Sequence, residues 1–184
     1  MKKFLILLVI IVIAPLIAGL YGIIHDQLTF SVSNEYYTKF KFIQFGFIDP
    51  GDDAILPTPR LYASAVGFLA TWWMGIPIGI ILGLVGLAHK NHQQMFKVTT
   101  KALVVTVIVA FLTGLLGLVY GKIYLANTGV SWWLPDNLID TKNFISVGSM
   151  HNFSYLGGLT GLIAGIIYIL TQKRKLKNID IKRE

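Results

Sequence analysis

Apolar residues run almost unbroken over 4–24, 61–88, 102–120 and 151–171, and polar residues collect between those runs. A helix rises about 1.5 Å per residue, so a run of about 20 residues crosses a hydrocarbon core. The pattern predicts an all-α membrane protein, one domain of four transmembrane helices in a bundle. Lys2 and Lys3 ahead of the first run imitate a signal peptide, but the apolar stretch is too long and the small-residue step near Ala18 lacks an A-x-A pattern. A retained anchor is therefore expected.

The connection 25–60 holds the one long polar and aromatic segment, HDQLTFSVSNEYYTKFKFIQFGF. Apolar and polar residues alternate over 28–33, as in a short strand, Ser33 can cap a helical turn, and Lys39-Phe40-Lys41-Phe42 alternates again. A small mixed extracytoplasmic cap is expected there. Asp49, Asp52 and Asp53 surround Pro50-Gly51, a turn composition that lacks the ligand spacing of an EF-hand calcium loop. In the second long connection, 121–150, Asp140 can cap a helix that leads through Phe144, Val147 and Met150 into the last span. Nearby Tyr120, Tyr124, Trp132 and Trp133 suit a headgroup region.

Charge sets the orientation. Eleven of the sixteen Lys and Arg residues lie at the N-terminus (Lys2, Lys3), after the second run (Lys90, Lys97, Lys101) and in the basic tail 172–184 (Lys173, Arg174, Lys175, Lys177, Lys182, Arg183). The positive-inside rule then predicts a bacterial cytoplasmic (inner) membrane protein with both termini cytoplasmic. The same asymmetry accounts for the pI of about 9.6 without a nucleic-acid partner. Hydrophobic residues make up 54% of the 184 positions and mean hydropathy is +0.65, which excludes a soluble domain. Cysteine is absent, which excludes disulfides and thiolate chemistry.

Small residues recur every four positions and line one ridge of each helix: Ala14, Ala18 and Gly22; then Gly67, Thr71, Gly75, Gly79 and Gly83; then Gly157, Gly161 and Gly165. Such ridges let backbones approach, within this chain or against another subunit. No nucleophile triad spacing, phosphate loop or H-E-x-x-H motif is present, so the expectation is a non-enzyme. Two histidines stand out. His25 follows Ala14, Ala18 and Gly22 on one helical face, His151 falls near Ser154, Gly158 and Gly165, and both lie at the same membrane surface. With Asp26 and Glu35 they are candidate ligands for a divalent metal, or a haem, although no cofactor is the leading expectation. His89 and His92 read as a solvated turn.

The stretches His25-Asp26-Gln27, Ser33, Glu35-Tyr36-Tyr37-Thr38-Lys39-Phe40-Lys41-Phe42, Met150-His151-Asn152 and Ser154-Tyr155 resemble a family of small uncharacterised bacterial four-span membrane proteins. The resemblance implies the four-helix architecture and no chemistry. Three function classes follow: an accessory or structural subunit of a larger membrane complex, with other subunits and the bilayer as partners; a metal- or haem-binding protein using His25 and His151; and a lipid or small-molecule binder or transporter. The first is the leading expectation.

Because the chain has no cysteine of its own, topology is directly testable. A cysteine placed at Asp52 should react with an impermeant thiol reagent in intact cells or spheroplasts. Protection until lysis would reverse the orientation.

Overall fold

The computed structural model describes residues 1–49 and 56–181, with side chains through Leu176. Positions 50–53 of the acidic turn, and Lys182 and Arg183 of the tail, fall outside the described residues. Four helices are long and apolar enough to cross a membrane. We number them α1 (Lys2–Val32), α2 (Pro59–Gly86), α3 (His92–Thr128) and α4 (Thr141–Ile181). In lipid a backbone must satisfy its own hydrogen bonds, which is why the apolar runs fold as helices.

Local signals set the helix ends. Asn91 accepts a hydrogen bond from the Gln94 amide at 2.9 Å to open α3, and Asp140 accepts from the Asn143 amide at 3.0 Å to open α4. Pro59 occupies the first turn of α2, where its missing N–H costs nothing. Within α2 the turn Trp72–Met74 tightens to a 3-10 helix just before Pro77, which cannot donate to the preceding turn.

Three expectations are corrected. The first helix does not end near residue 24: it continues through Val32, so His25 and Asp26 sit inside α1 and not in a connection. The 28–33 alternation is helical. Gln27 and Ser31, four apart and so on one face, both reach Arg60. Among the described residues there is no strand, and the segment after Ser33 is a chain of helical turns, Tyr37–Lys41 and Phe42–Gln44. Ser33 does cap, accepting from the Tyr36 amide at 3.3 Å. His89 is also not solvated. It is buried, and burial pushes its imidazole pKa down.

The helices form two antiparallel hairpins, α1 against α2 and α3 against α4, which meet chiefly along α1 and α3; α1 and α4 touch least. The small-residue ridges make the close approaches inside this chain. A Cβ on Gly22 would lie 2.6 Å from the Gly67 carbonyl carbon, one on Gly75 would lie 2.5 Å from Ala14 O, and one on Gly161 would lie 2.6 Å from Thr106 O. Hydroxyls bind across these seams: Thr71 to Ala18 O at 2.8 Å, Thr106 to Gly161 O at 3.1 Å and Ser149 to Gly117 O at 2.7 Å. Bulky residues face outward, Leu16, Leu20 and Ile24 on α1 and Leu112 and Leu116 on α3 among them.

Two buried apolar clusters result. One, around Ile10, Ala14, Leu82, Ala102 and Ile169, lies toward the termini. There the Lys3 ammonium donates to Leu87 O at 3.2 Å and to His89 O, tying the chain start to the α2–α3 turn. The other, Tyr36, Tyr37, Phe42, Phe144 and Val147 with their neighbours, covers the opposite end.

Overpacking costs about 1–3 kcal/mol. Gly22→Leu and Gly161→Leu should therefore lower the thermal midpoint in mild detergent, whereas lipid-facing Leu116→Ala should leave it nearly unchanged. Equal melting of all three would remove the ridge as the basis of the packing.

Candidate functional site

Between the two apolar clusters, three buried side chains meet: His25 and Asp26 near the end of α1, and His151 in the third turn of α4. Their candidate ligand atoms all lie within 4.8 Å of one another. His25 Nδ1 is 2.9 Å from Asp26 Oδ1, His151 Nε2 is 3.4 Å from the same oxygen, and the two imidazole rings stand edge to face, 4.7 Å between centroids. Small residues place them. A Cβ on Gly67 would sit 3.0 Å from Asp26 Cβ, so the closeness of α1 to α2 fixes the carboxylate.

Hydrogen bonding assigns the protons. A carboxylate only accepts, so His25 Nδ1 donates to Asp26, and His25 Nε2, 3.0 Å from Ser154 Oγ, accepts from that hydroxyl. The backbone carbonyl of Val147 also only accepts, so His151 Nδ1, at 2.9 Å, carries its proton. His151 Nε2 then faces Asp26 Oδ1 at 3.4 Å, with a lone pair in the neutral ring and with a proton to donate in the charged one. His151 Nε2 and Asp26 Oδ2 are both buried without a hydrogen-bond partner. Buried polar atoms without a partner are costly, and a cation or a proton at His151 Nε2 would relieve its approach to Asp26 Oδ1.

Aromatic rings close the site. Tyr36 stacks on His151 with centroids 4.9 Å apart, and the Tyr37 hydroxyl, 2.6 Å from Thr29 Oγ1, lies beside Asp26. Lys41 is buried among the rings of Tyr36, Phe40 and Phe45, 3.0 Å from Gln44 Oε1, and burial lowers its ammonium pKa. The Tyr21 hydroxyl lies next to Ser154 without reaching hydrogen-bond geometry. Below the cluster a cavity of ≈ 80 Å³ runs down the bundle past Ala18, Ala70, Met74, Ile78, Val107 and Gly158.

Of the four candidate ligands, Glu35 stands apart. Its carboxylate accepts from the Ile139 amide at 2.9 Å and the Asp140 amide at 2.7 Å and pairs with Lys39 at 2.8 Å, latching the 33–49 segment to the start of α4. Lys39 also donates to Asn137 O. Burial raises the Glu35 pKa, but the Ile139 amide, the Lys39 ammonium and the Asp140 amide outweigh it and hold it below the ordinary carboxylate value. Ser154, Tyr36, Tyr37 and Lys41 join the site without having been singled out for it. Their signal was the i, i+4 spacing of Tyr36 with Phe40 and Tyr37 with Lys41, which is helical. Ser154-His25-Asp26 forms a hydrogen-bonded chain although no motif spacing announces it.

The fold and the site define a four-helix membrane protein with a buried His–Asp–His centre. Comparison of the chain with protein-family models, curated proteins and solved structures returns no match.

Hydrogen bonds to a charged group contribute about 1.5–3 kcal/mol each. Glu35→Gln should thus lower thermal stability and expose 33–49 to protease. The carboxyl pKa is depressed in the fold, so the stabilisation is present above the unfolded value of about 4.3 and vanishes as pH falls through the folded value. The gap between wild type and variant should close over that acidic range. Equal stability and equal protease resistance in wild type and Glu35→Gln would remove the latch.

Proposed function

We propose that this protein is a cation-binding protein of the bacterial cytoplasmic membrane, both termini cytoplasmic, whose His25, Asp26 and His151 hold a divalent transition ion such as zinc. The pair of buried acceptors without partners, His151 Nε2 and Asp26 Oδ2, carries the proposal. Tetrahedral ligands about 2.0–2.1 Å from zinc lie about 3.3 Å from one another. The separations of 2.9 and 3.4 Å around Asp26 Oδ1 are close to that spacing. The surroundings are those of a ligand set: Val147 O fixes the His151 tautomer, and Ser154, able to donate or accept, adapts to either His25 tautomer. Imidazole rings in edge contact and a cavity of ≈ 80 Å³ favour a bare ion over a haem. The small-residue ridges, which also suit a subunit of a larger assembly, are occupied within this chain, and the cation role is preferred to the accessory role on that ground.

The chain Ser154–His25–Asp26 supports a second reading. A serine hydroxyl on a histidine that a carboxylate orients is the arrangement of an activated nucleophile. Every backbone amide around Ser154 lies within a helix, which leaves no free pair of amides for an oxyanion, so binding ranks above acyl transfer.

Purified protein should take up about one cobalt(II) per chain, with the intense visible bands of a tetrahedral site, and lose it in His151→Ala and in Asp26→Asn. Ser154→Ala should keep the ion. A preparation that binds no more cobalt than His151→Ala would overturn the cation reading. Labelling of Ser154 by a fluorophosphonate would install the hydrolytic one, and neither result would leave the accessory role.

A further inference from the structure

The three protein ligands leave a position of a tetrahedral ion open, and the surroundings of that position define what fills it. We propose, resting on the cation reading, that the ligand is a single-chain amphiphile with an anionic oxygen head: the head completes the ion's coordination and the first carbons of the chain lie in the cavity beneath.

Charge argues for the head. A dication held by one carboxylate and two neutral imidazoles keeps one net positive charge, and Lys41 adds another nearby. Uncompensated charge in so apolar a surrounding is costly, and an anionic oxygen donor offsets it. The cavity argues for the chain. Its lining below the cluster comes from Ala18, Ala70, Met74, Ile78, Val107 and Gly158. Of the hydroxyls that border it, two are spent on helix carbonyls, Thr71 on Ala18 O and Gly67 O, Thr106 on Ala102 O and Gly161 O, and those of Tyr21, Ser154 and Tyr155 belong to residues at its upper end beside the cluster. Below those hydroxyls the wall of Ala18, Ala70, Met74, Ile78, Val107 and Gly158 carries no polar side chain, and methylenes fit it.

Gly158 separates this void from ordinary helix packing. The ridge glycines are small because a neighbouring backbone occupies the place of a side chain. A Cβ on Gly158 meets nothing within 4 Å. Its smallness holds no helix close and instead leaves space open beside Tyr155, whose ring is exposed. A chain longer than the cavity would leave it past the exposed ring of Tyr155.

The test uses the full chain loaded with cobalt(II) in nonionic detergent, titrated with dodecanoate, dodecanol and acetate. Dodecanoate should shift the visible bands, dodecanol should not, and acetate should need at least about a hundredfold higher concentration, since each buried methylene contributes about 0.8 kcal/mol. Gly158→Leu places a side chain into the cavity wall at a position where a Cβ meets nothing within 4 Å. It should bind cobalt as wild type does and weaken dodecanoate at least about tenfold. Dodecanoate affinity unchanged in Gly158→Leu, or acetate as effective as dodecanoate, would overturn the amphiphile while leaving the ion in place. Failure to bind cobalt at all would overturn the cation reading beneath it.

Discussion

The contact of α1 with α2 at Gly22 and Gly67, backbone against backbone, governs much of the rest of the molecule. Lipid tails are as apolar as leucine, so burial of bulky side chains gives these helices no reason to associate. Close van der Waals packing and cross-helix hydrogen bonds must do so. The chain is accordingly arranged with small residues inside and Leu16, Ile24, Leu116 and their like outside. Because the seams are so narrow, the side chains beside them have little freedom. Asp26 lies directly over Gly67, Ser154 over Gly114, and Ser149 over Gly117 and Gly121. The ridges therefore hold the helices together and set the positions of the polar groups.

Much of this was legible in the sequence. Four-residue spacing of small side chains marks a helix face, and every ridge residue lies where that spacing places it, in contact with a neighbouring helix. Helical phase alone puts His25 and His151 on inward faces at one end of the bundle. The capping roles of Ser33 and Asp140 follow from residue type. The segment between the first two helices was harder to read, because alternation over five or six residues suits either a strand or a helix. Leu28 and Phe30 alternate with Thr29 and Ser31, but the hydroxyls serve different partners. Thr29 meets Tyr37, and Ser31 meets Arg60. Lys39 and Lys41 likewise diverge, one to Glu35 and the other beneath aromatic rings. Glu35 is near His25 in sequence, yet it is drawn away by the Ile139 and Asp140 amides just ahead of α4. That long-range bond has no local signature.

The aromatic layer matters to the electrostatics of the centre. Tyr36, Tyr37, Phe42 and Phe144 close the end of the bundle over His151 and Asp26. Excluding water lowers the local dielectric, which strengthens each attraction to the Asp26 carboxylate and also raises the cost of any acceptor left unpaired. The Glu35 latch and the Ser33 cap hold that layer in place, so residues well outside the cluster determine how dry it is.

Stability and site pull in opposite directions here. Replacing a buried ionic cluster by apolar side chains of similar volume is often neutral or stabilising, because desolvation consumes much of the Coulombic gain. Nothing in the packing of α1 on α2 requires an acid at position 26, since Gly67 would accommodate any side chain that leaves along the same Cβ direction. The ridge glycines are explained by contacts that a larger residue would destroy. His25, Asp26, His151 and the vacant wall at Gly158 have no such explanation. A cluster that adds little to folding, with two buried polar atoms unpartnered and a void beside it, is the feature on which the proposed binding role rests.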